Sequence, residues 1–258
     1  MSSFKINLKL FKKCLKTANL FSSEISFIVN KEKIECVVKD SSKTSILLFN
    51  ILKEDLVSYK IEKDLVFSLD VSNVLNKLGN NEDGDIEVQL FDDYIKIKSQ
   101  NKKTKMTYKF QMILNEDSDN LLTLNDRYKS FVEDYDEANN LTLETSLVDE
   151  VQGYSKNYGE NINIVISKEC IDFSSRDNMD EFNLVVENGD EKISDLSKLD
   201  DIKIILFNKF FSMVNKSLKK TGTVELFYKS DEEPILFSFE YNDVVDFKLI
   251  TSSVIDDE

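Results

Sequence analysis

Short runs that alternate apolar and polar residues recur along nearly the whole chain. Examples are Ser26-Phe27-Ile28-Val29, Ile34-Glu35-Cys36-Val37-Val38, Ile86-Glu87-Val88-Gln89-Leu90, Tyr94-Ile95-Lys96-Ile97-Lys98, Ile162-Asn163-Ile164-Val165-Ile166 and Val224-Glu225-Leu226-Phe227-Tyr228. A period of two with β-branched and aromatic residues predicts strands and hairpins. Asp83-Gly84, Asn188-Gly189 and Thr221-Gly222 mark turns or helix exits between them. Four segments switch to helical spacing: Leu8 to Ala18, Val71 to Leu78, Leu147 to Tyr158, and Asn208 to Lys220. Two fall in each half. Between the halves, Asn115 to Asn139 carries many acids, lacks sustained periodicity and reads as a connector. The order strand, helix, hairpins, helix, further strands precedes the connector and follows it again. The expectation is an α+β protein made by structural duplication: two β-rich domains with two helices each, residues 1–114 and 140–258, joined through 115–139.

Composition narrows the chemistry. A chain of 258 residues that is 41% hydrophobic can bury a sizeable core. Cys14, Cys36 and Cys170 are widely separated and form no CxxC pair, which indicates neither a disulfide framework nor a zinc site and fits a reducing compartment. Histidine is absent, which removes the usual general base, the commonest metal ligand and every Ser-His or Cys-His nucleophile pair. No catalytic residue, cofactor or metal is expected. No stretch reads as a signal peptide, and no apolar run approaches the roughly 20 residues that span a bilayer, so a soluble intracellular protein without a membrane partner is expected.

The formal charge of −15 argues at first sight against nucleic acid. Its distribution reverses that conclusion. In the first helix Leu10, Phe11, Cys14, Leu15 and Ala18 form an apolar face, and Lys9, Lys12, Lys13 and Lys16 follow the spacing i, i+3, i+4, i+7 on a second stripe. No acid lies between Leu8 and Phe21. In the fourth predicted helix Phe207, Phe210, Phe211, Val214 and Leu218 are the apolar side, while Lys209, Lys216 and Lys220 lie along the other, again without an acid between Ile202 and Gly222. The second helix adds Lys77 and no acid after Asp70. Lysines without arginine forks or aromatic platforms suit loose, sequence-independent attraction of phosphates rather than base readout. The third predicted helix differs, with Asp149, Glu150 and Gln152 against Lys156.

The C-terminal thirty residues give a further clue. A strand entered through the single proline (Pro234-Ile235-Leu236-Phe237) is followed by Asp246-Phe247-Lys248-Leu249-Ile250 and the acidic end Ile255-Asp256-Asp257-Glu258. Together with the loop Lys39-Asp40-Ser41-Ser42-Lys43-Thr44-Ser45-Ile46-Leu47, the segment Leu206-Phe207-Asn208-Lys209-Phe210-Phe211 and the amphipathic first helix, this order resembles the DNA sliding clamps of the proliferating cell nuclear antigen (PCNA) type. The resemblance implies a closed trimeric ring with helices lining the inside. It would turn Lys9, Lys12, Lys13, Lys16, Lys77, Lys209, Lys216 and Lys220 toward double-stranded DNA. It implies subunits joined through Lys105 to Ile113 and Glu181 to Glu187, and a docking site involving Asp40, Ser41, Ile46, Leu122, Leu124, Pro234 and Ile250. The implied partners are a replicative DNA polymerase, a clamp loader, and clients of the flap endonuclease and DNA ligase type. The implied setting is the nucleus of a eukaryotic host, or otherwise the cytoplasm or a viral replication site. Departures from the pattern are a longer connector without a Gly-Ile-Pro run, Leu249 to Ser253 in place of an aromatic and Ala-Pro ending, the acidic third helix, and Lys77 one position from the usual basic site. Two alternatives stay open. One is a clamp-fold scaffold or specialised hetero-oligomeric subunit, of the checkpoint-clamp or viral transcription-factor type, that is not itself loaded as a homotrimer. The other is a metal-dependent hydrolase using Asp177, Asp180 and Glu181, or Asp83 and Asp85.

Overall fold

The computed structural model describes residues 2–79, 84–100, 105–113, 118–177, 179–217 and 222–254. The chain forms two compact units, Met1–Tyr128 with Asn242–Asp246, and Lys129–Tyr241 with Phe247–Glu258. In the first unit the elements are β1 (Ser2–Asn7), α1 (Leu8–Asn19), β2 (Glu24–Val29), β3 (Lys33–Lys39), β4 (Ser45–Leu52), β5 (Ser58–Lys60), β6 (Leu65–Asp70), α2 (Val71–Leu78), β7 (Asp85–Leu90), β8 (Tyr94–Gln100) and β9 (Lys105–Gln111). After α3 (Ser118–Glu133) come β10 (Asn139–Glu144), α4 (Thr145–Ser155), β11 (Asn161–Ile166), β12 (Cys170–Arg176), β13 (Glu181–Glu187), β14 (Ile202–Phe207), α5 (Asn208–Ser217), β15 (Thr223–Tyr228), β16 (Ile235–Tyr241) and β17 (Val245–Thr251).

Sheet order reveals the duplication that residue identity hides. In the first unit the strands run β5-β1-β7-β8-β9 and β4-β3-β2-β6; in the second they run β10-β15-β16-β17 and β13-β12-β11-β14. Apart from the short extra strand β5, the two units repeat one topology of antiparallel ladders. Alternation explains which face each strand buries. On β8, Ile95 and Ile97 are buried while Lys96 and Lys98 are not; on β11, Ile162, Ile164 and Ile166 are buried while Val165 is exposed.

The helices begin where local chemistry caps them. The Asn7 side chain accepts from the backbone N–H groups of Lys9 (3.1 Å) and Leu10 (3.2 Å), and that of Asp70 accepts from Asn73 N–H (2.9 Å). α1 packs on α2 and α4 packs on α5. In the second unit Asn208, at the first turn of α5, is buried and donates through Nδ2 to the carbonyls of Ser155 (3.1 Å) and Gly159 (2.7 Å). One amide thus ties the start of α5 to the end of α4. Gly159 is required there: its φ is +134°, and a Cβ would lie 2.5 Å from the Arg176 carbonyl oxygen.

The connector departs from the sequence-based expectation. Ser118–Glu133 is a 16-residue helix, and the division between the units falls within it. The signal was present, because Leu121, Leu124, Tyr128, Phe131, Val132 and Tyr135 recur at three- and four-residue steps. Many acids around that pattern give the segment the composition of a loop. Two other helix limits shift: the third predicted helix becomes Thr145–Ser155, and the last predicted one is described only as far as Ser217.

Candidate functional site

Three helices carry lysine and no carboxylate: α1, α2 and α5. On α1, Lys9 and Lys16 are exposed and Lys13 is half-buried beside the apolar face. Burial, with a smaller contribution from Lys16, pulls the Lys13 ammonium below the usual lysine range, while Cys14 opposes the shift. Lys12 does not join this stripe. It is 2% exposed, and its Nζ donates to the Gly79 carbonyl (2.5 Å) just past the C-terminus of α2. There the ammonium satisfies an end carbonyl and meets the negative end of the helix dipole. Four lysines at helical spacing therefore split into three that border solvent and one that fastens α1 to α2. Lys12→Met, which keeps the aliphatic stem, is expected to lower unfolding free energy by about 1–3 kcal/mol in urea melts. It should leave the salt dependence of DNA binding unchanged, because no external charge is lost.

Lys77 is exposed on α2, with Nζ 5.3 Å from the Phe110 ring centroid on β9. On α5, Lys209 and Lys216 are exposed, and Lys209 Nζ lies 4.6 Å over Phe210 and 5.4 Å from Phe207. These rings orient the ammonium groups without neutralising them. Lys220 lies outside the described residues. The carboxylates of α4 are locally engaged: Glu150 pairs with Lys192 at 3.0 Å, and Asp149 accepts from Asn215 Nδ2 of α5 at 3.0 Å. The hydrogen bond to Glu150 and the charge of that carboxylate raise the Lys192 ammonium above the usual lysine range.

The residues named for partner docking fall into several environments. Asp40 is buried and organises its own loop. Oδ1 accepts from the N–H groups of Thr44 (2.9 Å) and Ser45 (2.8 Å), and Oδ2 accepts from the N–H of Ser42 (3.3 Å) and from its hydroxyl. Its carboxylate is spent holding the chain in a turn, where Lys43 has φ of +60°. Ser41 at the tip is exposed and Ile46 on β4 is half-buried. Asp40→Ala should release four donors at once, cost about 2–4 kcal/mol in chemical denaturation, and speed hydrogen exchange at Thr44 and Ser45. Leu122 is exposed and Leu124 half-buried on α3, Pro234 is half-buried ahead of β16, and Ile250 is buried on β17. Ile250 is thus a core side chain, 6% exposed, rather than one offered at the surface. The acidic end 255–258 lies outside the described residues.

Sequence reasoning missed the tyrosine that holds the Pro234 turn. Tyr135 is buried, its hydroxyl donates to the Pro234 carbonyl, and its ring packs 4.9 Å from Phe131 and carries Lys229 Nζ at 4.8 Å. Burial, then the nearby Glu233 charge, pushes Tyr135 up to about 12. Tyr228, which donates to the Asp200 carbonyl at 2.9 Å, is raised to about 12 by burial and by Asp200 and Asp201. Because both folded-state values lie above the unfolded value near 10, their contribution is intact below about pH 10 and is lost as pH rises toward 12. The thermal midpoint should fall over that window, with a late tyrosinate absorbance step that Tyr135→Phe diminishes.

Among the described residues no group of three or more Cys, Asp or Glu could hold a metal ion. Asp177 and Asp180 close a turn, with Asp177 N–H donating to the Asp180 carbonyl at 2.9 Å; Asp83 lies outside the described residues. No described helix is long and apolar enough to cross a membrane.

In sequence, no family model and no curated protein matches the chain. In structure it is similar to PCNA from Thermococcus kodakaraensis, with a TM-score of 0.80 at 15% identity over 98% of this chain and 100% of that one. It is also similar to A. fulgidus PCNA, solved with the C-terminal region of FEN-1 bound, with a TM-score of 0.78 at 12% identity over the whole of both chains. The fold is therefore that of the PCNA-type clamps, across the full length and with both units present.

Proposed function

We propose that this chain, built on the PCNA-type clamp fold, closes with two further copies into a ring around double-stranded DNA. It acts there without catalysis, as a polymerase processivity factor and a docking platform. The observation that carries this reading is the segregation of charge: α1, α2 and α5 bear Lys9, Lys13, Lys16, Lys77, Lys209 and Lys216 and no acid, in a chain of formal charge −15. Such lysines attract a phosphate backbone of any sequence and let it slide, while negative charge elsewhere discourages DNA from binding outside.

Ring closure needs two complementary edges on each copy, since a head-to-tail contact uses different surfaces. β9 and β13 each end a sheet. Both alternate in the same way, with Met106, Tyr108 and Phe110 on one inner face and Phe182, Leu184 and Val186 on the other. Antiparallel pairing with Tyr108 opposite Leu184 brings these apolar faces together, sets Lys105 against Glu187, and completes the unpaired backbone ladder of both strands. Tyr154 of α4, exposed and stacked on Phe182 at 5.4 Å, extends the apolar edge. Clients would be a replicative polymerase, a clamp loader, and flap endonuclease and ligase type enzymes. The FEN-1 segment bound to the A. fulgidus clamp supports the flap endonuclease part of that assignment. The site of action would be the nucleus of a eukaryotic host, or otherwise the cytoplasm or a viral replication site.

The deciding experiment is retention of the purified protein on closed circular DNA after loading, followed by linearisation. Encirclement predicts release only on cutting. A second reading, a clamp-fold scaffold or hetero-oligomeric subunit that does not encircle DNA as a homotrimer, takes its support from the exposed Asp149 on α4. It predicts no topological retention at all.

A further inference from the structure

A positive surface outside the helices lies on a sheet. On the outer face of β5-β1-β7-β8-β9, opposite the buried Phe4, Ile86, Ile95 and Ile97, stand Lys5, Lys60, Lys96, Lys98, Lys105 and Lys109. Among the described strand residues the acids on that face are Asp85 and Glu87, which lie 3.6 Å from Lys5 and Lys98 respectively, and Asp93 of the β7–β8 turn accepts from Gln111 of β9 at 3.2 Å. Of the remaining lysines, Lys96, Lys105 and Lys109 lie on β8 and β9, whereas Lys60 lies on β5 at the opposite edge. Lys96 and Lys109 are direct cross-strand partners, a juxtaposition of like charges that weakens a sheet on its own. The other neighbour of Lys96 is Gln89, whose amide donates instead to Glu87 at 2.8 Å. No ion pair joins Lys96 or Lys109 to another described residue; Lys109 is held 3.7 Å over the Tyr94 ring.

We propose that this face docks an extended acidic segment of a partner protein, with a carboxylate seated on the cross-strand pair Lys96 and Lys109. Two features favour a peptide over a nucleic-acid strand. Tyr94, already stacked on Phe91 at 4.3 Å and covered by Lys109, offers no open ring to a base. Asp85 and Glu87 repel a continuous phosphate chain, whereas a peptide can place neutral residues opposite them. The proposal does not rest on the ring: in the pairing given above, Lys109 would face Asn183 of the neighbouring copy and keep its charge.

The test is fluorescence anisotropy with a labelled peptide of alternating glutamate and serine, compared with a labelled oligothymidylate, at about 50 mM salt where exposed charges are weakly screened. The expected result is peptide binding that the double variant Lys96→Glu/Lys109→Glu weakens by at least about tenfold, with Lys209→Glu/Lys216→Glu leaving it unchanged. Circular dichroism of each variant confirms that the fold survives. Three outcomes overturn the proposal: no peptide binding below about 1 mM, binding indifferent to the sheet variant, or oligothymidylate held through Lys96 and Lys109 more tightly than the peptide. None of them bears on retention of circular DNA, so failure here is separable from failure of the clamp reading.

Discussion

Reversing Lys9, Lys16, Lys209 and Lys216 to glutamate is expected to lower duplex affinity by more than about 100-fold near 100 mM salt and to abolish retention on closed circles. Each lysine that meets a phosphate displaces a condensed counterion, so each loss should flatten the slope of log affinity against log salt by about one unit. All four side chains are exposed on helices with no acid of their own, so the substitutions leave the apolar faces intact. The controls follow from the geometry. Lys12→Met removes a lysine of the same helix whose ammonium bonds the Gly79 carbonyl, and Lys198→Glu changes an exposed charge outside the helices. Neither should alter the slope. A quadruple variant with wild-type salt dependence would show that DNA, if bound, is held elsewhere.

Leu184→Asp should convert a particle of three times the chain mass into monomers at micromolar concentration, as read by sedimentation. Leu184 is half-buried on β13, so the single chain tolerates a carboxylate there, whereas the proposed pairing would bury it against Tyr108. The same contact recurs three times in a closed ring, and losing all three multiplies a local cost of about 2–4 kcal/mol per contact. A charge swap tests the register. Lys105→Glu and Glu187→Lys should each weaken assembly, and the two together should restore it, because the pairing sets these residues opposite one another. Wild-type protein that sediments as a monomer at all concentrations would remove the ring from the proposal.

Much of the architecture is legible in local pattern. The two-residue alternation of Ile162, Ile164 and Ile166 and the apolar stripe Leu10, Phe11, Cys14, Leu15 and Ala18 specify strand and helix with inward faces, and the structure buries these residues. The second helix has the predicted limits, Val71–Leu78. Where local pattern and composition disagreed, composition misled: the acids between 115 and 139 concealed the helix Ser118–Glu133. A helix needs only one covered side, and a polar remainder does not argue against it.

The functional residues were less legible, for a physical reason. Spacing places Lys9, Lys12, Lys13 and Lys16 on neighbouring helix positions, but which ammonium stays in water depends on α2, whose Gly79 carbonyl draws Lys12 inward from 67 residues away. Asp40 has the composition of an exposed loop acid, yet four donors at its carboxylate make it the centre of its turn. Lys96 and Lys109 are ordinary outward strand lysines until the register of β8 and β9 sets them face to face. By itself the sequence determined the periods, the order of elements, the absence of imidazole chemistry and the separation of basic helices from acidic loops, since each depends on residues close together along the chain. Tertiary structure alone decided burial, hydrogen-bond partners and cross-strand neighbours, because a side chain's charge acts through groups that only folding brings within a few ångströms.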